Sequence, residues 1–210
     1  EFRRVLFRSE LGIKVVVVKG PKSIADVKEN VKLIAKTLGE EDKGNLMIAK
    51  MDDKLAEIKE KVDNIKPEER KKLVLISLMT SYGGKGCTFD DICQYAGVIN
   101  GVSDAGLHNG QFLTKEMLVA INPDLLIMPV YNDHNTFDIE KYNKEFLEDP
   151  ALKTLNAVKE KRFFYPREGY IYNSSQDIVF GVQEVARAAY GSLFDQPENC
   201  HISVVAEVEK

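Results

Sequence analysis

A stripe of apolar residues along an otherwise charged stretch, Glu41 to Ile65, constrains this chain more than any other feature. Ile48, Met51, Leu55, Ile58, Val62 and Ile65 recur at spacings of three and four, which places them on one face of an α-helix. Pro67 then stops the helix. At 1.5 Å per residue such a helix is about 37 Å long, enough to run the length of a small domain as a spine between two units. Glu57 and Lys61 attract across one turn whereas Asp53 and Glu57 repel, so the stripe must supply most of the stability.

Length and charge narrow the function. A chain of 210 residues with 44% apolar content can bury a substantial core. Its 29 basic and 33 acidic residues are interspersed and leave a net charge of -4, which disfavours nucleic acid as a partner. No apolar run approaches the roughly 20 residues that span a bilayer, and no signal-peptide pattern opens the chain. Cys87, Cys93 and Cys200 are too few and too widely spaced for a disulfide framework or a zinc knuckle, and read as small buried hydrophobes.

Residues 1–9 (EFRRVLFRS) put three arginines among apolar residues with no period, directly before a clear strand pattern. Leu6 to Ser9 also matches the in-frame translation of a common sequencing-library adapter, so this segment is expected to be non-native, fused to a truncated frame. Ile13 to Val18 reads as a strand buried on both faces. Ser23 and Asp26 cap a helix that carries Ile24, Val27, Val31, Ile34 and Leu38 and ends at Gly39. One such strand cannot satisfy its own backbone, which predicts a partner sheet outside this chain.

After the spine the expected strands are Leu73 to Met79, Asp124 to Val130 and Phe163 to Tyr165, with a short segment at Val98-Ile99. Helices are expected from Thr88 (as cap, with Asp91) to Gly97, from Thr114 to Ile121, around Ile139 to Leu147, from Pro150 through Val158, and after a cap formed by Ser174 and Asp177. Strands alternating with helices predict an α/β fold: a Rossmann-like, three-layer lobe with a mostly parallel sheet, preceded by the spine and a remnant of another lobe. Ligands of such sheets sit at the carboxyl ends of the strands.

The order of these segments carries a family resemblance. A Gly-Ile-x-Val-Val strand, a capped helix and a long spine precede Tyr-Gly-Gly-x-Gly-Cys-Thr-Phe, Ala-Gly-x-x-Asn, Asn-Pro-Asp-Leu-Leu-Ile, Leu-x-Ala-Val-Lys-x-x-Arg-Phe-Phe and a Ser-x-Asp-capped helix. From Gly12 to about Gly191 the chain resembles the carboxyl-terminal part of bilobal substrate-binding proteins of ABC importers. The resemblance is to the branch with a rigid helix between its lobes, which handles iron-siderophore complexes, haem and cobalamin. It implies a remnant of the N-terminal lobe at residues 10–40, an inter-lobe helix at 41–66, a ligand-binding lobe at 67–195 and a tail at 196–210. It further implies an extracytoplasmic, monomeric protein with no intrinsic cofactor, delivering a ferric siderophore, haem or cobalamin to a membrane permease. Permease docking through an acidic residue would fall to Glu140 or Glu145.

The strand-end rule selects the candidate ligand contacts. Tyr82, Gly83, Gly84 and Lys85 follow the first strand of the lobe, Tyr131 and His134 the third, and Arg167, Tyr170 and Tyr172 the fourth. Glycines admit backbone N–H groups to a ligand, tyrosines stack, and an arginine takes carboxylate or catecholate oxygens. Tyrosine and histidine can also ligate iron, although no metal ligand is assigned. The loop is not a phosphate loop, which needs glycine at Met79 and serine or threonine at Gly86. His108, Asn109 and His201 read as solvated loop and tail residues. The competing class is a chelatase-like or other α/β enzyme, but Ser81 lacks a nucleophile elbow and no histidine is tied to Cys87 by any motif.

Overall fold

The computed structural model describes residues 15–77, 82–130, 138–167 and 169–205. Eight α-helices and four strands occur among them, besides three short 3-10 helices: α1 (Ile24–Leu38), α2 (Glu41–Val62), β1 (Lys72–Leu75), α3 (Thr88–Tyr95), β2 (Ile99–Asn100), α4 (Gly101–Asp104), α5 (Lys115–Ile121), β3 (Leu125–Ile127), α6 (Ile139–Glu148), α7 (Asn156–Lys159), β4 (Phe163–Phe164) and α8 (Ile178–Tyr190). The strands form one parallel sheet in the order β2-β1-β3-β4. Leu73 pairs with Leu125, and Leu126 with Phe163. The strands are shorter than the apolar runs predict, but the ladder continues past them: Ile76 N donates to Ile127 O at 2.8 Å, and Met128 N to Phe164 O at 2.8 Å.

The period of two in β1 and β3 sorts their side chains into two cores. Leu73, Leu75, Leu125 and Ile127 face α1, α2, α3 and α8, whereas Val74, Ile76, Leu126 and Met128 face α4, α5, α6 and the short helices that follow. Both strands are therefore covered on both sides, which is why they read as continuous apolar runs. Helix α2 is the expected spine, about 33 Å long, and it buries Met51, Leu55, Ile58 and Val62 on the first core. Its amino-terminal end crosses α1 so closely that a Cβ on Gly44 would lie 2.4 Å from Ala35 Cβ, a contact only glycine permits.

Three expectations need correction. Residues 15–18 form no strand, and Val16, Val17 and Val18 are exposed, because no described strand lies beside them to complete a ladder. Thr88 does not cap α3. Cys87 stands at that position and the Thr88 hydroxyl turns to Tyr82, while the Asp91 carboxylate accepts from Ile24 N at 2.7 Å and so caps α1 from across the molecule. At α8, Asp177 caps nothing within its helix; it accepts from Ile202 N at 2.9 Å and meets His201 Nδ1 at 2.6 Å. The cap at Ser23 is as expected, and Thr114, expected as the first residue of its helix, stands at the cap of α5 instead.

The tail after α8 is fastened to the lobe by one buried carboxylate. Glu184 is 0% exposed and accepts from Arg167 Nη2 at 2.9 Å, Arg187 Nη2 at 2.9 Å, Gln196 Nε2 at 3.1 Å and the Arg167 backbone N–H at 3.0 Å. Burial alone would raise its pKa, but the hydrogen bonds from the two arginines outweigh it and bring the group down to about 2. The carboxylate therefore contributes stability that is present above the unfolded value near 4.5 and is lost as pH falls from there toward 2. Glu184→Gln is expected to lower stability at pH 7 by about 2 kcal/mol and to flatten the acid limb in that window, measured by urea denaturation from pH 7 to pH 2. Met51→Ala, at 0% exposure on the spine, is expected to cost about 2–4 kcal/mol in the same assay at pH 7.

Candidate functional site

The carboxyl ends of β1, β3 and β4 open on one edge of the sheet, and the loop after β1 is held there from beneath. Asn100, at the end of β2, is buried and donates to Gly83 O at 2.8 Å and to Asp90 Oδ1 at 2.9 Å, while its own oxygen accepts from Val102 N. Asp90 Oδ2 accepts from Gly86 N at 3.3 Å. This buried pair satisfies the backbone of a glycine-rich turn that would otherwise face apolar core. Beside it, Lys85 N donates to Leu107 O and Asn109 N to Lys85 O, each at 2.9 Å, so the two loops run as paired rails. A Cβ on Gly84 would lie 2.6 Å from the His108 carbonyl carbon, so this approach requires glycine. His108 and Asn109, expected to be solvated loop residues, are exposed in their side chains but pinned in their backbone.

Two tyrosines form the wall of the site. Tyr82 and Tyr172 pack with ring centroids 5.7 Å apart and planes inclined by 38°. The Tyr82 hydroxyl lies 2.9 Å from Thr88 Oγ1, and the Tyr172 hydroxyl bonds the Ser77 side chain. Burial pushes both phenols up, Tyr82 well above its ordinary value and Tyr172 to about 12, with these hydrogen bonds opposing the rise. Cys87, buried below, donates its thiol to Gly84 O at 3.1 Å, and burial raises it as well, so it is no poised nucleophile.

A cavity of about 210 Å³ opens beside this wall, lined by Ser77, Tyr82, Gly84, Phe112, Tyr142 and Phe146 among others. Tyr142 and Phe146 stack at 6.2 Å on the α6 side. The cationic side chain on its rim, Lys115, is tied to Asp149. A second hollow lies at the ends of β3 and β4, between Val130, Glu140, Asn143 and Tyr165. There Asn143 donates to Pro129 O at 3.1 Å.

The structure brings together only part of the expected contact set. Tyr82, Gly83, Gly84, Lys85 and Tyr172 share the strand-end edge. Arg167 and Tyr170 do not join them. The Arg167 guanidinium is committed to Glu184 and to the carbonyls of Gln196 and Pro197, and the buried Tyr170 bonds through its hydroxyl to the backbone of Glu198 and Cys200. Both residues hold the tail. Tyr131 and His134 lie outside the described residues. Glu140 and Glu145 are exposed on α6, the latter 3.9 Å from Lys141. Among the described residues no group of three His, Cys, Asp or Glu side chains could hold a metal ion, and no helix is long and apolar enough to cross a membrane. Sequence reading missed Asn100 and Asp90; the signal available was an asparagine at a strand end just before a glycine.

Residues 7–168 match the family described as periplasmic binding protein. A curated relative, an uncharacterized ABC transporter substrate-binding lipoprotein, YvrC of Bacillus subtilis, is 25% identical over 193 residues; the match takes in 89% of this chain and 57% of that protein. Among solved structures, the periplasmic heme-binding protein RhuT from Roseiflexus sp. RS-1 superposes with a TM-score of 0.75 at 18% identity, over 90% of this chain and 71% of that one. An ABC-type Fe3+-hydroxamate transport protein from Saccharomonospora viridis superposes at 0.66 and 18%, over 88% and 64%.

Gly84→Ala is expected to force the rails apart and to lower stability by about 1–3 kcal/mol. Amide chemical shifts should move at residues 84–86 and 107–111 while those of α2 stay in place.

Proposed function

This chain belongs to the periplasmic binding protein family, and we propose that it is the binding component of an ABC importer for a metal complex, with a ferric siderophore, haem or cobalamin as the ligand class. The observation that carries the reading is the edge just described: a parallel sheet, seated on a spine helix, whose strand ends present a braced glycine turn and a tyrosine wall. In such sheets that edge is where ligands bind. The names of the relatives point the same way, toward a substrate-binding lipoprotein, a heme-binding protein and a ferric-hydroxamate transport protein. The chain spans about 57% of the curated relative's length. We read it as a remnant of another lobe at 10–40, a spine at 41–66, a ligand-binding lobe at 67–195 and a tail at 196–210. Exposed Val16, Val17, Val18, Ile34 and Leu38 are what the face of a second lobe would cover.

On this reading Tyr82, Gly83, Gly84, Lys85 and Tyr172 contact the ligand from one side, and Tyr131 and His134, which follow the third strand in the sequence, are proposed as further contacts. The binding step involves no catalysis, and the site sits outside the cytoplasm, where a lipoprotein relative would hold it. Glu140 or Glu145, exposed on α6 near the same edge, would meet basic residues of the permease.

Absorbance titration of the protein against haemin, a ferric hydroxamate and cobalamin tests the reading. Saturable binding of one of them at micromolar or tighter affinity is expected; binding of none overturns the assignment. Replacing both Glu140 and Glu145 by Lys should leave that affinity unchanged and reduce ligand uptake through the cognate permease in reconstituted vesicles.

A further inference from the structure

Both wall tyrosines anchor their hydroxyls inward. Tyr82 meets Thr88 Oγ1, itself 6% exposed in the first turn of α3, and Tyr172 meets Ser77 at the end of β1. Each residue remains only partly buried, while each hydroxyl is turned to a partner within its own lobe. We propose that Tyr82 and Tyr172 meet the ligand with their rings and not their oxygens, so that on this side the site takes a metal complex already closed by its own donors and presenting a flat apolar or aromatic face. The inference rests on the importer reading and narrows its ligand class.

Geometry and electrostatics agree on this point. A phenol that ligates ferric iron must first give up its proton, and the phenolate oxygen must face the metal. Here each oxygen faces a buried or half-buried hydroxyl of its own lobe. Burial also makes ionisation harder, with Tyr172 raised to about 12. The cation best suited to stabilise a phenolate, Arg167, is spent on Glu184 and the tail carbonyls. The two rings pack 5.7 Å apart with planes inclined by 38°, and the neighbouring cavity continues the aromatic lining from Tyr82 through Phe112, Tyr142 and Phe146.

Visible absorbance after adding ferric nitrilotriacetate, an iron source with open coordination, tests the oxygens without reference to the natural ligand. The expected result is that Tyr82→Phe and Tyr172→Phe remove no phenolate-to-iron charge-transfer band. A band that either variant abolishes overturns the proposal. Titration with haemin and a ferric hydroxamate tests the rings. Tyr82→Phe should bind within about threefold of the unaltered protein, whereas Tyr82→Leu, which keeps bulk but not the π-face, should bind about tenfold more weakly. Equal loss in the two variants overturns the proposal. If the unaltered protein binds neither complex nor cobalamin, the importer reading fails, while the nitrilotriacetate result still decides between ring and oxygen.

Discussion

The structure depends on the burial of β1 and β3 from both faces. Each strand is only three or four residues long, yet its alternate side chains enter two separate cores, and both cores reach essentially zero exposure at Leu73, Val74, Leu126 and Ile127. That arrangement obliges the chain to supply helices on both sides. It also leaves only the strand ends free for anything else, because a sheet covered above and below meets solvent only where its strands stop. The site lies where the packing leaves it room.

Charge is arranged to protect this frame. Glu184 would be costly to bury alone, and two arginines with Gln196 make it tolerable, so the tail is drawn onto α8. Arg167 is thereby removed from the ligand side. An arginine just after a strand can turn toward a ligand or back toward its own core, and the partner that decides lies 17 residues further on. Nothing local to Arg167 distinguishes the two.

That case marks the boundary of what was legible in the sequence. The spine stripe, the two-faced strands, the cap at Ser23 and the parallel sheet were readable because each is written in periodicity, in the alternation of elements or in a local side chain. Family resemblance added the order of the segments. What could not be read involves partners outside the helix concerned: Asp91 capping α1 from 67 residues away, Asn100 bracing Gly83 from 17 away, the Thr88 hydroxyl turned to Tyr82, and the Asp177 carboxylate turned to the tail. The exposed valines at 16–18 show the converse, a strand pattern whose partner is not among the described residues.

The cores, the Glu184 cluster and the Asp90–Asn100 brace hold the frame, and the wall and cavity are formed by side chains packed against its edge. Changing Phe112 or Tyr142 alters the surface a ligand meets without removing a strand or a buried charge. A frame of this kind tolerates wide divergence, consistent with a TM-score of 0.75 at 18% identity. On the proposed reading, ligand preference is set by a few strand-end side chains, which offer aromatic surface in place of the Arg167 guanidinium, so that discrimination on this side falls to the shape of the complex.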